Sequence, residues 1–311
     1  MPVFTATLSQ TAFLFSFILL GYILSRWKFI PQDAPIVLSK LENYIFIPAL
    51  VLGTFIDNFT PAKLTSAGEL LLGSTLLLAI AVGVTLLCVR FCSKDAYERN
   101  IYTYGLCFSN FGFMGNAVVK ALFPEIFLEY LIFTLPLWVL IYLWGVPVLL
   151  MGSGEKQSFK QRLKNFVNPM FICMLLGIGV GLLQIPVPQF IGSAVTTAGN
   201  CMSPIAMLLT GMTIARFDLK EVLKIPGVYL VTALRLVIYP GIFLLALLVF
   251  STETTFATCA ICSLAMPLGL NTIIVPGALG KDTRVASGMA LVSHILCCIT
   301  IPVIFMLYNL I

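Results

Sequence analysis

Charged residues are scarce in this sequence. Asp, Glu, Lys and Arg make up 10% of the 311 residues, apolar residues make up 59%, and the mean hydropathy is +1.03. A soluble globular domain has about 25% charged and roughly 45–50% apolar residues. Because so few charges cannot cover a surface that faces water, the composition excludes a soluble enzyme, a disordered chain and a collagen-like chain. The sequence predicts a protein whose main solvent is lipid.

Patterns for catalysis and metal binding are also lacking. The sequence has a single histidine, His294, and no HExxH, GxSxG or paired intramembrane Asp motif. The nine cysteines are an odd number and lie in or beside apolar segments, which is typical of small buried residues rather than of a disulfide framework. We therefore predict no enzyme activity, no metal, no cofactor and no nucleic-acid partner.

Long apolar runs, by contrast, are abundant, as in Leu70–Cys88 and Ile238–Phe250. Strands of a membrane barrel alternate apolar and polar residues, whereas these runs are continuous. A spanning helix uses about 20–25 residues. The sequence thus predicts an all-α polytopic membrane protein with ten transmembrane helices, at residues 5–25, 34–57, 66–92, 99–122, 124–151, 166–184, 191–216, 221–250, 254–279 and 283–309.

The basic residues orient these spans. Of the 18 Lys and Arg residues, 15 lie in or beside loops 1, 3, 5, 7 and 9. Lys63 and Lys120 lie on the other side, and Arg235 lies within span eight. Basic loops stay on the cytoplasmic side of a membrane. We therefore predict a multi-pass protein of the cell membrane with both termini on the extracytoplasmic side.

Helix-breaking and polar residues recur at an offset near 155 residues, about half the chain length. Each half then holds five spans, and because five is odd, the second half enters the membrane from the opposite side. Inverted repeats of this kind are common in secondary transporters. The prediction is a first five-helix repeat at 1–151, a cytoplasmic linker loop at 152–165 and a second, inverted repeat at 166–311. The recurring pairs are Pro31 with Pro186, Asn43 with Asn200, Pro48 with Pro204, Asn116 with Asn271, and Pro147 with Pro302.

Spans four and nine carry the best candidates for broken helices. Glycine permits irregular backbone, proline removes a backbone donor, and Asn amides can meet freed backbone groups or a ligand. In inverted-repeat transporters such helices cross at the substrate site. The alternative is a pair of kinked, well-packed helices. The candidate substrate-binding residues in these two spans are Asn110, Gly115, Asn116, Pro267 and Asn271.

Three further residues are candidates for binding substrate. Asn43 and Asn200 each lie about one turn before a proline, where an Asn can bond carbonyls released by the kink or can meet a ligand. Lys120 lies four residues after Asn116 and can share its helix face. Lys120 can attract an anion, or it can extend towards the outer interface as a snorkelling lysine.

Ion coupling has few candidates. His294, in span ten, is the candidate for proton coupling, although a lone histidine in a span more often bonds a neighbouring helix. Arg235 is a weak candidate for a functional charge, because buried membrane charges are costly and often functional. Transport driven by membrane potential or by substrate exchange fits this scarcity of coupling groups.

Five segments, taken in order, resemble the auxin efflux carrier family, the prokaryotic relatives of plant PIN-type carriers. The family often has proline after the glycine of span four, where this sequence has Ala117, and plant members have a second proline where Thr272 stands. The resemblance covers essentially the whole chain. The resembling segments are NYIFIPALVLGTF, SNFGFMGNAVVKALFPE, NPMFICMLLGIGVGLLQIPVP, GNCMSPIAMLLTGMTIA and AMPLGLNTIIVPGALGKD.

This resemblance implies a ten-helix fold of two inverted repeats, with crossing helices four and nine in a transport domain that moves against a scaffold. It implies export or exchange of small organic anions, such as auxin or dicarboxylates like malate, by an elevator-type motion, and a homodimer embedded in lipid. The alternative within the same class is a sodium-coupled organic-anion symporter of the bile-acid-carrier type. From other classes, an intramembrane enzyme lacks its motifs, and a channel or sensor predicts a conductance far above carrier turnover.

Overall fold

The computed structural model describes residues 2–151, 159–164, 167–216, 223–250 and 252–311. Most of these residues are helical, and among them no β-strand forms. Parts of the predicted linker at 152–165, namely 152–158 and 165, lie outside the described residues, and so do 217–222 with Lys220. Within the linker, Phe159–Lys164 forms a short helix.

Thirteen helices follow one another along the described residues. Several of them join α-helical and wider π-helical turns without a break. They are α1 Pro2–Arg26, α2 Ala34–Asn58, α3 Lys63–Cys88, α4 Ala96–Cys107, α5 Phe111–Leu122, α6 Pro124–Leu150, α7 Phe159–Lys164, α8 Pro169–Leu182, α9 Gln189–Ile214, α10 Pro226–Val249, α11 Thr254–Leu264, α12 Asn271–Ala278 and α13 Arg284–Tyr308.

Six of these helices are long and apolar enough to cross a membrane: α1, α2, α3, α6, α10 and α13. They coincide with predicted spans one, two, three, five, eight and ten. Spans four and nine are each divided into two short helices, and α8, in span six, has only 14 residues. The helix in span seven, α9, has 26 residues but carries many Ser, Thr, Gly and Gln side chains that lower its hydropathy. The described residues therefore establish a multi-span helical protein with fewer clear spans than the ten predicted.

Proline residues shape three of the wider helical turns. A π-helical turn at Glu42–Phe46 ends two residues before Pro48, another at Leu234–Ile238 ends two residues before Pro240, and a third at Ile141–Leu150 contains Pro147. Proline has no N–H and its ring clashes with the carbonyl four residues earlier. A wider turn relieves that clash, and such turns are frequent at functional sites.

The exposed surface of the helices is apolar. On α3 alone, Leu72, Ile80 and Leu87 are each about two-thirds exposed, and the neighbouring helices carry similar residues. Monomeric soluble proteins rarely expose contiguous apolar patches of this kind. The surface thus agrees with the composition: lipid covers this protein.

Candidate functional site

Two helices are interrupted in the segments that the sequence predicted to be broken. In the first, α4 ends at Cys107 and α5 begins at Phe111; in the second, α11 ends at Leu264 and α12 begins at Asn271. Pro267 contributes to the second interruption because it supplies no N–H to the preceding turn. We call the two unwound segments, 108–110 and 265–270, the crossover.

The unwound segments pair with each other in an antiparallel bridge between Ser109 and Leu268. The Asn110 backbone N–H donates to the Pro267 carbonyl at 2.7 Å, and the Ser109 hydroxyl donates to the Ser263 carbonyl at 2.9 Å. All five residues are buried. The backbone polar groups freed by each interruption are thus partly satisfied by the other one.

Gly269 permits this close approach of the two backbones. A Cβ atom at position 269 would lie 2.9 Å from the Phe108 carbonyl oxygen and 3.3 Å from the Ser109 carbonyl oxygen. Such separations are shorter than ordinary van der Waals contacts, and both neighbours are backbone atoms. Position 269 therefore requires a glycine for steric reasons.

Asn116 and Asn271 both lie in the helices that follow the two interruptions. Asn271 is the first residue of α12, whereas Asn116 lies inside α5, directly after the π-helical turn Phe111–Gly115. The Asn271 amide donates to the Tyr104 hydroxyl at 2.9 Å. Asn116 is 4% exposed, and its Oδ1 atom has no hydrogen-bond partner among the described residues. The helix after the first interruption therefore contains a buried amide whose oxygen can still accept a hydrogen bond.

Asn110 joins the crossover to His294 on α13. The Asn110 Nδ2 atom lies 3.0 Å from His294 Nε2, and His294 Nδ1 lies 2.8 Å from the Ala290 carbonyl oxygen. A carbonyl only accepts, so Nδ1 carries the hydrogen and Nε2 of the neutral ring accepts from the amide. Asn110 Oδ1, like that of Asn116, has no partner in the described part of the chain. A role of His294 in proton coupling stays a prediction.

Gly115 is enclosed by a tyrosine from α6. A Cβ atom at this position would collide with the Tyr130 hydroxyl, which itself donates to the Phe111 carbonyl at 3.2 Å. We expect Gly115→Ala to lower the unfolding free energy by about 1–3 kcal/mol, as overpacking does. Thermal denaturation in detergent measures the loss, and Gly115→Ala/Tyr130→Phe should recover part of it. Gly83→Ala is the control, because nothing lies within 4 Å of a Cβ there; equal losses at positions 83 and 115 would contradict this prediction.

The remaining predicted residues lie away from the crossover. Lys120 Nζ donates to Asn200 Oδ1 at 2.9 Å, which links α5 to α9. Asn43, predicted as the counterpart of Asn200, is exposed and donates to the Ser39 carbonyl one turn earlier at 2.7 Å. The structure thus places Asn200 beside Lys120 and leaves Asn43 in a local bond of the kind that an Asn near a kink can make.

Two cavities lie between the α2–α9 pair and the second halves of the interrupted helices. The first, about 340 Å³, adjoins the end of α2, the beginning of α9, and α5. The second, about 380 Å³, adjoins the beginning of α2, the end of α9, and α12. The polar residues of the first include Thr54, Asn58, Lys63, Lys120, Glu129 and Asn200, and those of the second are Ser39, Lys40, Thr213, Arg216 and Thr283.

Arg235 contributes more to the crossover than its position in the sequence indicated. It lies in the π-helical turn of α10 and is 2% exposed. Its guanidinium donates to the carbonyls of Leu106 at 3.0 Å, Ser263 at 2.8 Å and Met266 at 3.3 Å. One side chain therefore binds the ends of α4 and α11 together.

Glu42 was missed by the sequence analysis. It lies in the π-helical turn of α2, is fully buried, and neither carboxyl oxygen has a hydrogen-bond partner among the described residues. An acidic residue eight positions into an apolar span was the available signal.

Removing this carboxyl should stabilise the protein. We expect Glu42→Met to raise the unfolding free energy by about 1–3 kcal/mol, which is the cost of a buried unsatisfied polar group. Glu42→Gln, which keeps a polar amide, should give a smaller gain. Thermal denaturation tests the stability, and transport measured on the same preparations tests function: a more stable but inactive Glu42→Met would assign this carboxyl a functional role. A lower melting temperature for Glu42→Met would contradict the prediction.

The described residues hold no group of three or more His, Cys, Asp or Glu side chains that could bind a metal ion. Cys259 and Cys262, whose spacing is shared with redox and metal motifs, are both buried and free. The polar groups around the crossover are backbone carbonyls, the Asn110 amide, the His294 imidazole and the Arg235 guanidinium, which provide hydrogen bonding and charge.

Comparison with known proteins agrees with this description. A family model described as membrane transport protein matches residues 6–305, which include both interrupted helices and both cavities. No curated protein matches the chain.

Proposed function

The chain belongs to the membrane transport protein family, which includes auxin efflux carriers, and from this premise we propose that it is a secondary transporter of small organic anions. The observation that carries the proposal is the pairing of two unwound segments, each followed by a short helix that contains a candidate asparagine, Asn116 within α5 and Asn271 at the start of α12. Helix N-termini carry partial positive charge, and amides supply further donors. A carboxylate can be held there without a free cationic side chain.

We further propose an inverted repeat of two five-helix units, which three observations support. Lys28 and Gln184, the two non-glycine residues with left-handed backbone among those described, lie 156 residues apart. Two hydrogen bonds join residues 154 positions apart: the Ser109 hydroxyl with the Ser263 carbonyl, and the hydroxyls of Thr85 and Tyr239. Residues near a two-fold axis contact their own counterparts, so such bonds favour a pseudo-symmetric ten-span arrangement.

The two cavities favour alternating access. They adjoin opposite ends of α2 and α9, and each touches the second half of one interrupted helix. We propose that the unit with the crossover moves against α2 and α9 in an elevator-type motion, so that each cavity in turn connects the site with one side. The basic residues favour odd loops in the cytoplasm and both termini on the extracytoplasmic side of the cell membrane. We also propose that the protein forms a homodimer.

Export follows from the membrane potential. An anion that leaves a negative-inside cell gains about 2.3 kcal/mol per charge at 100 mV. The alternative, a sodium-coupled symporter, needs carbonyl oxygens free to bind Na⁺. Three carbonyls at the crossover already accept from Arg235, which favours the uncoupled carrier or exchanger.

Uptake into vesicles tests the proposal. Purified protein reconstituted in liposomes should accumulate labelled malate or indole-3-acetate under an inside-positive potential, and should exchange it with unlabelled substrate at zero potential. Empty liposomes, and liposomes with heat-inactivated protein, are the controls. If no carboxylate moves under either condition, while light scattering shows the protein intact and inserted, the proposal that the protein transports organic anions is wrong.

A further inference from the structure

Arg235 lies at the point where both interrupted helices end, and within the described residues no ion pair includes it. Membrane charges are costly when buried, and they are normally paired with an opposite charge or with backbone carbonyls. The partners of Arg235 are three backbone carbonyl oxygens. These acceptors therefore indicate the role of the Arg235 charge.

The interruptions themselves free two of these acceptors. In a continuous helix the Ser263 carbonyl would accept from residue 267, but Pro267 has no N–H. The Leu106 carbonyl would accept from the Asn110 N–H, which instead donates to the Pro267 carbonyl. The Met266 carbonyl, the third acceptor, lies inside the unwound segment. The interruptions thus leave carbonyls without their helical donors. Arg235 donates to all three of these carbonyls, and the Ser109 hydroxyl also donates to the Ser263 carbonyl.

The ends of α4 and α11 add negative potential at the same place. The C-terminal end of a helix carries about half an elementary negative charge. In transporters with broken helices, unwound carbonyls and half-helix C-termini coordinate a coupling Na⁺ or H⁺. A guanidinium is permanently charged and presents five donors in a fixed plane. It can satisfy the same acceptors as a small cation without leaving the protein.

We propose that the crossover contains a monovalent-cation site formed by the Leu106, Ser263 and Met266 carbonyls, and that Arg235 occupies it as a tethered cation. The cation site itself does not depend on the proposed function. Its consequence does rest on that function: a carrier whose crossover holds its own cation transports the anion without Na⁺. Removal of the side chain exposes the site to a free cation, with guanidinium as the best match in shape and Na⁺ as the alternative.

Thermal stability of the purified protein tests the site independently of transport. The wild type should show the same melting temperature in NaCl, KCl and choline chloride. Arg235→Ala should melt lower by about 5 °C or more, and methylguanidinium chloride should raise that melting temperature to a plateau, as mass action requires for a bound ligand. Urea and choline chloride at equal concentrations should not raise the melting temperature of Arg235→Ala. Methylguanidinium should not raise the melting temperature of the wild type.

Two length-matched variants decide the question if Arg235→Ala does not fold. Arg235→Lys keeps the charge and Arg235→Met removes it at similar volume, so the lysine variant should retain most of the wild-type melting temperature and uptake. The methionine variant should lose both, with uptake lower by about ten-fold or more, the loss expected for hydrogen bonds to a charged group. A methionine variant equal to the wild type, or equal losses in both variants, would overturn the proposal.

A dependence on sodium is the second result that would overturn the proposal. A saturable dependence of wild-type melting temperature or uptake on Na⁺ would show that a free cation is still needed, and the tethered-cation assignment would be wrong. The two proposals fail separately. If methylguanidinium restores the stability of Arg235→Ala but no carboxylate moves in the wild type, the cation site stands and the proposed function fails.

Discussion

Gly211→Ala is expected to prevent α1 and α9 from packing together. A Cβ atom at position 211 would collide with the Ile18 carbonyl of α1 and would lie 2.7 Å from the Tyr22 backbone nitrogen. The same interface holds Gly21, where a Cβ atom would collide with the Leu208 carbonyl of α9. Both obstacles are backbone atoms, so no rotamer change relieves them and the two helices would have to separate.

Small residues at helix interfaces are the usual means by which membrane helices approach closely. Overpacking in a rigid core typically costs about 1–3 kcal/mol, and a collision between backbones belongs at the upper end of that range or above it. Since whole proteins are stable by only about 5–15 kcal/mol, we expect Gly211→Ala to lower the melting temperature strongly and to reduce the yield of monodisperse protein.

Gly192→Ala is the matched control in the same helix. No atom lies within 4 Å of a Cβ at position 192, so this substitution should leave the melting temperature unchanged or slightly higher, as alanine favours a helix over glycine. Size-exclusion chromatography and thermal denaturation compare the two variants. Similar behaviour of Gly211→Ala and Gly192→Ala would disprove the close packing of α1 against α9.

The sequence alone predicted the interruptions because their cause is local. Pro267 removes a donor, Gly269 removes a side chain, and Asn116 and Asn271 recur at a constant offset, all of which can be read along the chain. The apolar runs likewise predicted the six long helices, since length and hydropathy need no knowledge of contacts. The count of ten spans stays a prediction. The interrupted helices are too short, and α9 is too polar, to qualify as spans by length and hydropathy alone.

The parts that could not be predicted depend on contacts between distant residues. Arg235 was visible as a charge within a span, but its acceptors are backbone carbonyls, which have no identity in a sequence. Lys120 and Asn200 meet across 80 residues of chain, whereas Asn43 donates to a carbonyl of its own helix. Glu42 escaped notice because burial of its side chain follows from the packing of the π-helical turn against α8 and α9.

Asn116→Ala is expected to abolish most transport without harming the fold. The Asn116 side chain is buried in α5, directly after the π-helical turn that follows the first interruption, and its amide Nδ2 can donate to a carboxylate. Alanine is a better helix former than asparagine, and the substitution removes a buried unsatisfied oxygen, so the melting temperature should stay the same or rise. At a residue with a purely structural role, substitution by alanine would instead lower the melting temperature.

The size of the transport defect follows from the bond that is lost. A hydrogen bond from an amide to a charged carboxylate contributes about 1.5–3 kcal/mol. Its loss weakens substrate binding about 10- to 100-fold. The defect should appear as a higher apparent KM for carboxylate uptake in liposomes, and substrate should no longer raise the melting temperature.

Two further variants make the Asn116 result interpretable. Asn271→Ala should also lose transport, but with lower stability, because it leaves the buried Tyr104 hydroxyl without its amide donor. Asn309→Ala, at the end of α13 where the amide donates to the Phe305 carbonyl one turn earlier, should transport normally. Normal uptake by Asn116→Ala would exclude this amide from the substrate site. A stable Asn116→Ala that no longer transports, beside a less stable Asn271→Ala that also does not, would separate binding of the anion from support of the crossover.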